Sequence, residues 1–277
     1  MLKNIALSSA LLMASALVAV SCGGGSTTNT NSGQTPSGDS KPAFQSAGDE
    51  GTLTGKIIFT GAAPAPKTID MGQDPVCVTA GTEKTTEDVV VKDGKLANVF
   101  VYVKSGGAAD KFSFNPTGDA VLDQKGCRYH PHVLGVMTKQ NIKITNSDNT
   151  THNIHPSPSA NQEWNQSQTA GAGPLEKSFA RKEVLIPVKC NQHPWMKAYI
   201  GVLPHPFFAV SKDDGSYTIA NLPPGEYTIA AWHEKYGEQT QKVTIGAKES
   251  KTQDFTFSAT SAYAPTSLKV EPALVLH

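Results

Sequence analysis

The sequence carries little charge for its length and has no excess of charge of either sign. Of its 277 residues, 24 are Lys or Arg and 24 are Asp or Glu. A nucleic-acid-binding protein needs a basic excess to neutralise phosphates, so this balance gives no support for one. The sequence also lacks a Ser-His-Asp set, a paired carboxylate motif, a phosphate loop and a Rossmann glycine pattern. We therefore expect a protein that is not an enzyme and binds no nucleic acid.

Glycine and proline, by contrast, are frequent. The chain contains 24 Gly and 18 Pro, and few stretches are plausible long helices. Because these residues favour turns, the composition predicts an all-β fold and disfavours a large α/β enzyme. The length is sufficient for one or two domains with hydrophobic cores of their own.

The N-terminus has the pattern of an export signal. Lys3 supplies a positive charge, and residues 5–20 form an apolar stretch too short for a comfortable membrane span. We interpret residues 1–21 as a signal peptide. Residues 19–22 (Ala-Val-Ser-Cys) resemble a bacterial lipoprotein box, which implies that Cys22 is lipidated after cleavage. An ordinary signal peptide followed by an incidental cysteine is the alternative.

Residues 22–50 consist largely of Gly, Ser, Thr, Asn and Pro. Such a segment has almost nothing to bury, so we interpret it as a disordered tether. Gly23 occupies the position where an Asp often marks inner-membrane retention of lipoproteins. We therefore expect an exported protein, lipid-anchored to the cell envelope at the outer membrane and facing the periplasm or the cell surface. The lipid anchor is the only membrane contact that we expect.

The four cysteines differ in their surroundings. In an oxidising compartment, cysteines form disulfides or bind a ligand. If Cys22 carries lipid, three cysteines remain, and Cys190 alone lies within a dense set of metal-capable residues. Cys77 and Cys127 are then left to form a disulfide.

Two segments supply candidate metal ligands. Residues 188–196 contain the pattern Cys-x2-His-x2-Met, formed by Cys190, His193 and Met196, and residues 146–155 contribute further histidines. A soft thiolate, two imidazoles and a weak thioether form the ligand set of a blue-copper electron-transfer site. The thiolate and thioether favour Cu(I), whereas the imidazoles accept Cu(II). A Met ligand argues against zinc.

This pattern resembles the cupredoxins, the blue copper proteins that include amicyanin and plastocyanin. The loop Cys-x2-His-Pro-aromatic-Met is similar to that of amicyanin, and residues 129–153 resemble the family's run of aromatic-x-Pro, strand, turn, apolar strand, Asn-x-Asp and His-Asn. The resemblance implies a Greek-key β-sandwich that holds one type 1 copper ion. Its ligands would be His152, Cys190, His193 and Met196.

The resemblance also assigns roles around the copper. It implies that Asn153 steadies the two ligand loops. Pro194 and Trp195 would surround the exposed edge of His193, the usual electron-entry surface of such a site. A redox partner protein, such as a cytochrome or an oxidoreductase, would dock there.

Several histidines leave alternatives open. His155 lies three residues from His152 and is the alternative ligand. The position of His152 directly before Asn153 favours His152. His130 and His132 are interpreted as surface or packing residues, and the rival interpretation joins them with Cys127 in a second metal site.

Two further histidines are given structural roles. His205 lies between two prolines and is interpreted as part of an interdomain connection. We interpret His233 as a hydrogen-bonding structural residue.

The C-terminal third has strands of alternating polarity with turn residues between them. Residues 208–257 resemble the carboxypeptidase-regulatory-like (transthyretin-like) β-sandwich, a non-catalytic module, but lack its opening strands. Residues 55–61 and 96–103 resemble those strands. We therefore expect a cupredoxin domain at 113–205 inserted into a sandwich formed by 51–112 and 206–257, followed by a tail at 258–277. Two domains in series, with 51–205 all cupredoxin, are the alternative.

The predicted function is a type 1 copper electron-transfer lipoprotein of the cell envelope. The first alternative is an envelope protein that holds or delivers copper with the same ligands but without electron transfer. A structural surface adhesin with a decayed copper motif is the second. A copper oxidase is disfavoured, because it needs a multinuclear cluster with many histidines and the chain has eight.

Overall fold

The computed structural model describes residues 41–80 and 84–260. The predicted signal peptide, the lipidation site Cys22, and residues 261–277 of the predicted tail lie outside the described residues. The prediction of an all-β chain is confirmed, because the two helices among the described residues are short. Neither has the length and apolar composition needed to span a bilayer.

The elements up to the middle of the chain are β1 (Gly51–Thr60), α1 (Pro75–Ala80), β2 (Val91–Lys92), β3 (Lys95–Leu96), β4 (Phe100–Gly106), α2 (Gly107–Lys111), β5 (Ala120–Gln124), β6 (Tyr129–His130), β7 (Val133–Met137), β8 (Ile142–Asn146) and β9 (His152–Pro156). The later elements are β10 (Gln166–Gln168), β11 (Leu175–Lys177), β12 (Glu183–Lys189), β13 (Lys197–Leu203), β14 (Phe208–Val210), β15 (Ser216–Leu222), β16 (Gly225–His233), β17 (Gly237–Ile245), β18 (Ser250–Thr252) and β19 (Phe255–Ser258).

One sandwich combines strands from both ends of the described chain. Its first sheet has the order β15-β1-β3-β2, with β18 and β19 also paired to β1, and its second sheet has the order β14-β4-β16-β17. Alternating apolar residues of β1, such as Leu53 and Ile57, point into the core between the sheets, as expected for strands with one buried face. Strands that precede residue 113 therefore share sheets with strands that follow residue 206.

The intervening strands form a second sandwich. One sheet has the order β10-β9-β12-β13-β7 and the other has the order β11-β8-β5-β6. Its core contains Leu122, Ile144, Ile154, Ile186 and Ile200, which come from five different strands. The ends of β9, β12 and β13 lie together in one sheet of this sandwich, and this places the candidate ligands near one another. The domain boundaries proposed above stay a prediction.

The two sandwiches pack on each other through both faces of β4. Val101 and Val103 point into the first core, whereas Phe100 and Tyr102 pack against Leu203 of the second sandwich. This double burial explains why β4 is a continuous apolar run and not an alternating one.

Two glycines of the second sandwich make room for the Phe100 ring. Gly135 of β7 is paired with Gly201 of β13. A Cβ on Gly201 would lie 2.6 Å from Phe100 Cζ, and a Cβ on Gly135 would lie 2.5 Å from the ring of Phe208 and 2.8 Å from Phe100. Both positions therefore exclude any side chain. We call this feature the glycine slot.

The chain between β1 and β2 leaves the first sandwich and covers the second. Ile69, Met71 and Cys77 are buried in the second core, and Cys77 forms the predicted disulfide with Cys127, with a Cα–Cα distance of 5.5 Å. We call residues 69–80 the cap. The sequence assigned this segment to the first sandwich because its neighbours in the chain lie there, but its apolar side chains are buried in the other core.

Residues 41–50 differ from the expected tether. Phe44 donates its N–H to the Ser113 carbonyl at 2.9 Å and stacks on Phe114 with ring centroids 5.1 Å apart. The composition of this short segment is mostly polar, but backbone hydrogen bonds to Ser113 and the Phe44 ring hold it on the sandwich.

Candidate metal centre

Three of the four predicted ligands converge in the second sandwich. His152 begins β9, Cys190 directly follows β12, and His193 lies in the turn before β13. One ligand atom of each residue lies within 4.8 Å of the other two. The Nδ1 atoms of His152 and His193 are 2.9 Å apart, and His193 Nδ1 lies 3.7 Å from Cys190 Sγ. All three side chains are buried.

The fourth predicted ligand, Met196, closes the turn that carries the other two loop ligands. Its N–H donates to the His193 carbonyl at 2.9 Å, and the Cys190 N–H donates to the Met196 carbonyl at 3.3 Å. Met196 is fully buried in the second core. These backbone bonds give the loop 190–196 one compact conformation, so Cys190 and His193 are held side by side.

Asn153 connects the two ligand segments. Its Oδ1 accepts the Asn191 N–H at 2.6 Å and lies 3.2 Å from Cys190 Sγ, whereas its own N–H points to the same sulfur at 3.5 Å. Tyr129 donates its hydroxyl to the Asn153 carbonyl at 2.6 Å. Asn153 therefore contacts both ligand segments, and Tyr129 holds its carbonyl.

Asp148 holds the outer nitrogen of His152. Its Oδ2 lies 2.9 Å from His152 Nε2, and its two oxygens accept the N–H groups of Gly126 and Cys127, each at 2.7 Å. Gly126 and Cys127 both have positive φ, of 60° and 57°, which turns their successive N–H groups towards one carboxylate. A carboxylate on the far nitrogen fixes the tautomer and orientation of a metal-binding histidine.

Asp74 of the cap holds the outer nitrogen of His193 in the same way. Its Oδ2 lies 3.0 Å from His193 Nε2 and accepts the hydroxyl of Thr150 at 2.8 Å. His193 is consequently only 4% exposed. The expectation that its edge is exposed between Pro194 and Trp195 is therefore wrong, because the cap covers it.

The two residues of the expected electron-entry surface have different surroundings. Pro194 is exposed, whereas Trp195 is half-buried and donates its indole N–H to the Cys127 carbonyl at 3.1 Å. The Trp195 ring lies 5.2 Å from the His193 ring, centroid to centroid.

The electrostatics of the cluster favour a thiolate. Burial raises the pKa of Cys190, but hydrogen bonds from His152 and from backbone N–H groups outweigh it, so the pKa lies below its ordinary value. Burial lowers the pKa of His152, but hydrogen bonds to Asp148 and Cys190 raise it to about 8. Burial dominates at His193, together with repulsion from His152, and lowers its pKa despite the Asp74 carboxylate.

The other predicted site residues lie apart from the cluster. His155, the alternative ligand, contacts Asn191 Oδ1 at 3.0 Å and Glu163 Oε1 at 2.5 Å. His130 is exposed and lies 3.1 Å from the Lys125 carbonyl. The second metal site proposed for His130 is not formed, because its cysteine, Cys127, is in the disulfide.

Three further histidines of the described residues are buried away from the cluster. His132 is buried between the sandwiches, 2.6 Å from Glu234 Oε1. His233 is buried and accepts the Lys235 N–H at 3.1 Å, and His205 is buried and accepts the Phe207 N–H at 3.4 Å.

The disulfide lies beside both imidazoles. Cys77 Sγ is within 4.8 Å of ligand atoms of Asp74 and His193, and Cys127 Sγ is equally close to Asp148 and His152. Sequence reasoning predicted the disulfide but missed both carboxylates. Asp148 had a local signal, four residues before His152, whereas Asp74 had none.

Comparisons with known proteins bear on the fold. The family model of the carboxypeptidase regulatory-like domain matches residues 198–258. No curated protein matches the chain significantly. Solved structures with partial similarity include a copper-containing nitrite reductase from Thermus scotoductus SA-01, at 17% identity over 32% of this chain with a TM-score of 0.28. The chain spans only 25% of that reductase.

Two smaller proteins are similar at the same level. A purple cupredoxin from Nitrosopumilus maritimus is 20% identical over 30% of this chain and 99% of its own, with a TM-score of 0.26. A reduced amicyanin variant is 19% identical over 37% of this chain and 97% of its own, with a TM-score of 0.28.

Proposed function

We propose that the protein is a type 1 copper-binding electron carrier, exported and anchored to the cell envelope through a lipid on Cys22. The observation that carries this proposal is the meeting of the Nδ1 atoms of His152 and His193 with Cys190 Sγ in a buried cluster. Copper supplies one-electron chemistry when bound. Met196, at the end of the same loop, is the proposed weak fourth ligand.

The donor set fits copper better than the other common metals. A thiolate with two neutral imidazoles and a nearby thioether suits Cu(I) and Cu(II), whereas structural zinc sites prefer more thiolates or a third imidazole. Each outer nitrogen is already bound to a carboxylate, Asp148 or Asp74, so the Nδ1 atoms remain for the metal. The loop 190–196 is held by its own backbone bonds, and this rigidity keeps rearrangement small when the redox state changes.

The direct test is spectroscopic. Purified mature protein loaded with one equivalent of Cu(II) should show an intense visible band from charge transfer between thiolate and copper, and a narrow paramagnetic hyperfine splitting. Cys190→Ser should abolish both signals. His155→Ala is the matched control and should retain them, since His155 lies outside the cluster. Retention of the band in Cys190→Ser, or its loss in His155→Ala, would refute the assignment.

A copper-holding or copper-delivery function is the second candidate. The covered edge of His193 favours it, because a closed site exchanges electrons with a partner less readily than an open one. Repeated reduction and reoxidation separates the two functions. A visible band that bleaches and returns fully supports the electron carrier, whereas loss of copper on reduction supports delivery.

A further inference from the structure

The two carboxylate oxygens of Asp74 have different partners. Oδ1 accepts the Val76 N–H at 2.8 Å at the start of α1, where Pro75 is the first helical residue, the arrangement of a helix N-cap. Oδ2 accepts the Thr150 hydroxyl at 2.8 Å and lies 3.0 Å from His193 Nε2. Because both oxygens are engaged, the carboxylate has a fixed orientation towards the imidazole.

This orientation decides which nitrogen of His193 faces the centre. An ionised carboxylate only accepts hydrogen bonds, so Nε2 carries the proton and Nδ1 keeps a free lone pair. That lone pair lies beside His152 Nδ1 and Cys190 Sγ. A carboxylate partner of this kind orients the ligand and makes the imidazole a stronger donor.

The two carboxylates of the centre come from different parts of the chain. Asp148 lies four residues before its histidine, whereas Asp74 is separated from His193 by 119 residues. The position of Asp74 therefore depends on how the cap is attached. Cys77, three residues along, is joined to Cys127, and Gln73 donates to the Gln192 carbonyl at 2.8 Å.

We propose that Asp74 is a positioning residue of the metal centre. It holds the His193 imidazole with Nδ1 turned towards Cys190, and the disulfide between Cys77 and Cys127 keeps it there. This proposal rests on the proposed function, since it assigns a role at the same centre. Through Asp74 the cap contributes to metal binding, although the cap lies outside the segment that carries the four ligands.

The first experiment uses copper-free protein and therefore does not depend on copper binding. The imidazole nitrogen resonances of 15N-histidine-labelled protein report the tautomer of each ring. In the wild type, His193 should be the Nε2–H tautomer alone. In Asp74→Ala it should become a mixture of tautomers, while His152, held by Asp148, stays unchanged as the internal control.

Asp74→Asn separates charge from shape. Its single carbonyl oxygen can still accept the Val76 N–H as the helix N-cap, and its amide NH2, which only donates, then faces His193 Nε2. His193 should therefore shift towards the Nδ1–H tautomer. This variant also decides the proposal if Asp74→Ala fails to fold. Asp70→Asn is the matched control. Asp70 is an exposed residue of the same cap, and its replacement by Asn changes the net charge by the same amount. Its His193 signals should equal those of the wild type.

The second experiment measures affinity for copper in both redox states. Removing an outer-shell partner of a metal ligand typically weakens metal binding about 10–100-fold. We expect a loss of this size for Cu(II) in Asp74→Ala, a smaller one for Cu(I), and losses at least as large in Asp74→Asn, whose amide NH2 favours a proton on Nδ1. The reduction potential should rise accordingly, by about 59 mV for each tenfold difference between the two losses. Asp70→Asn should leave both affinities unchanged.

The outcomes distinguish this proposal from the proposed function. A chain that binds no copper refutes the function, and the tautomer measurement still decides whether Asp74 positions His193. A single unchanged tautomer in both Asp74 variants overturns the positioning role, even if copper binds. The double variant Cys77→Ser with Cys127→Ser tests the disulfide. It should produce the same mixture of tautomers, and wild-type signals from it would remove the disulfide from the proposal.

Discussion

The glycine slot predicts a specific coupling between the two sandwiches. Phe100 is fully buried, and its ring is stacked on Tyr102 with centroids 5.3 Å apart, so it has no room to move away. A Cβ on Gly201 would lie 2.6 Å from Phe100 Cζ and 2.7 Å from Cε1, against an optimal carbon–carbon separation of about 3.5–4.0 Å. The substitutions Phe100→Ala and Gly201→Ala should therefore interact strongly.

The expected magnitudes follow from this geometry. Phe100→Ala should lower the free energy of unfolding by about 3–5 kcal/mol, the usual cost of removing a buried aromatic ring. Gly201→Ala should cost about 1–3 kcal/mol because it overpacks the slot. With the ring absent, however, the added Cβ has space, and alanine is favoured over glycine in a strand by about 0.5–1 kcal/mol. The double variant should then be no less stable than Phe100→Ala alone.

Urea unfolding of the copper-free protein, followed by far-UV circular dichroism, measures the four free energies of this cycle. Gly173→Ala is the control for additivity, since a Cβ there meets nothing within 4 Å. Combined with Phe100→Ala it should show no coupling. If Phe100→Ala and Gly201→Ala are additive within about 0.5 kcal/mol, the usual scatter for independent sites, the slot does not constrain the interface and the reasoning is refuted.

Three further predictions concern other parts of the molecule. Burial, with repulsion from a nearby lysine, lowers the pKa of His205 to about 4. As pH falls, His205 is therefore protonated in the unfolded chain at a higher pH than in the folded protein. The free energy of unfolding should thus drop by about 3 kcal/mol between pH 7.5 and pH 4 from this residue, and urea titrations of His205→Asn should show a flatter profile. The double variant Cys77→Ser with Cys127→Ser removes a disulfide that spans 50 residues and should lower the free energy of unfolding by about 4 kcal/mol. A urea titration without reductant measures this loss, and a loss below about 1 kcal/mol would contradict the prediction. Asn153→Ala removes the acceptor of the part-buried Asn191 N–H and should cost about 0.5–1.5 kcal/mol in the same assay, whereas Asn165→Ala keeps that acceptor and should cost less.

Sequence reasoning predicted the local part of the centre and missed its distant part. Cys190, His193 and Met196 lie in one short loop, and the spacing of their types carries a chemical signal. Asp74 comes from a segment that reaches the centre through tertiary packing and a disulfide, and no local pattern distinguishes it from other exposed-looking acidic residues. The exposure of His193 was mispredicted for the same reason, since the residue that covers it is remote in sequence.

In the fold, too, local sequence patterns predicted some strands and missed those that depend on pairing with distant segments. Residues 96–103 were predicted as a strand from their resemblance to an opening strand of the carboxypeptidase-regulatory-like module, and β4 overlaps this range from Phe100 onwards. Residues 157–177 have no periodic pattern typical of strands, yet they contain β10 and β11. These short strands are stabilised by pairing with the edges of β9 and β8 and not by alternation of their own side chains, so no periodic pattern predicted them.

The cap has a consequence for any attempt to transplant this centre. An excised fragment of residues 113–205 would retain all four proposed ligands, yet it would leave behind Asp74, half of the cystine and the aromatic ring that fills the slot. A recombinant domain designed from the ligand positions alone would therefore lack the carboxylate partner of His193, and its glycine slot would be unfilled. The smallest transferable unit has to include the cap and Phe100 as well as residues 113–205.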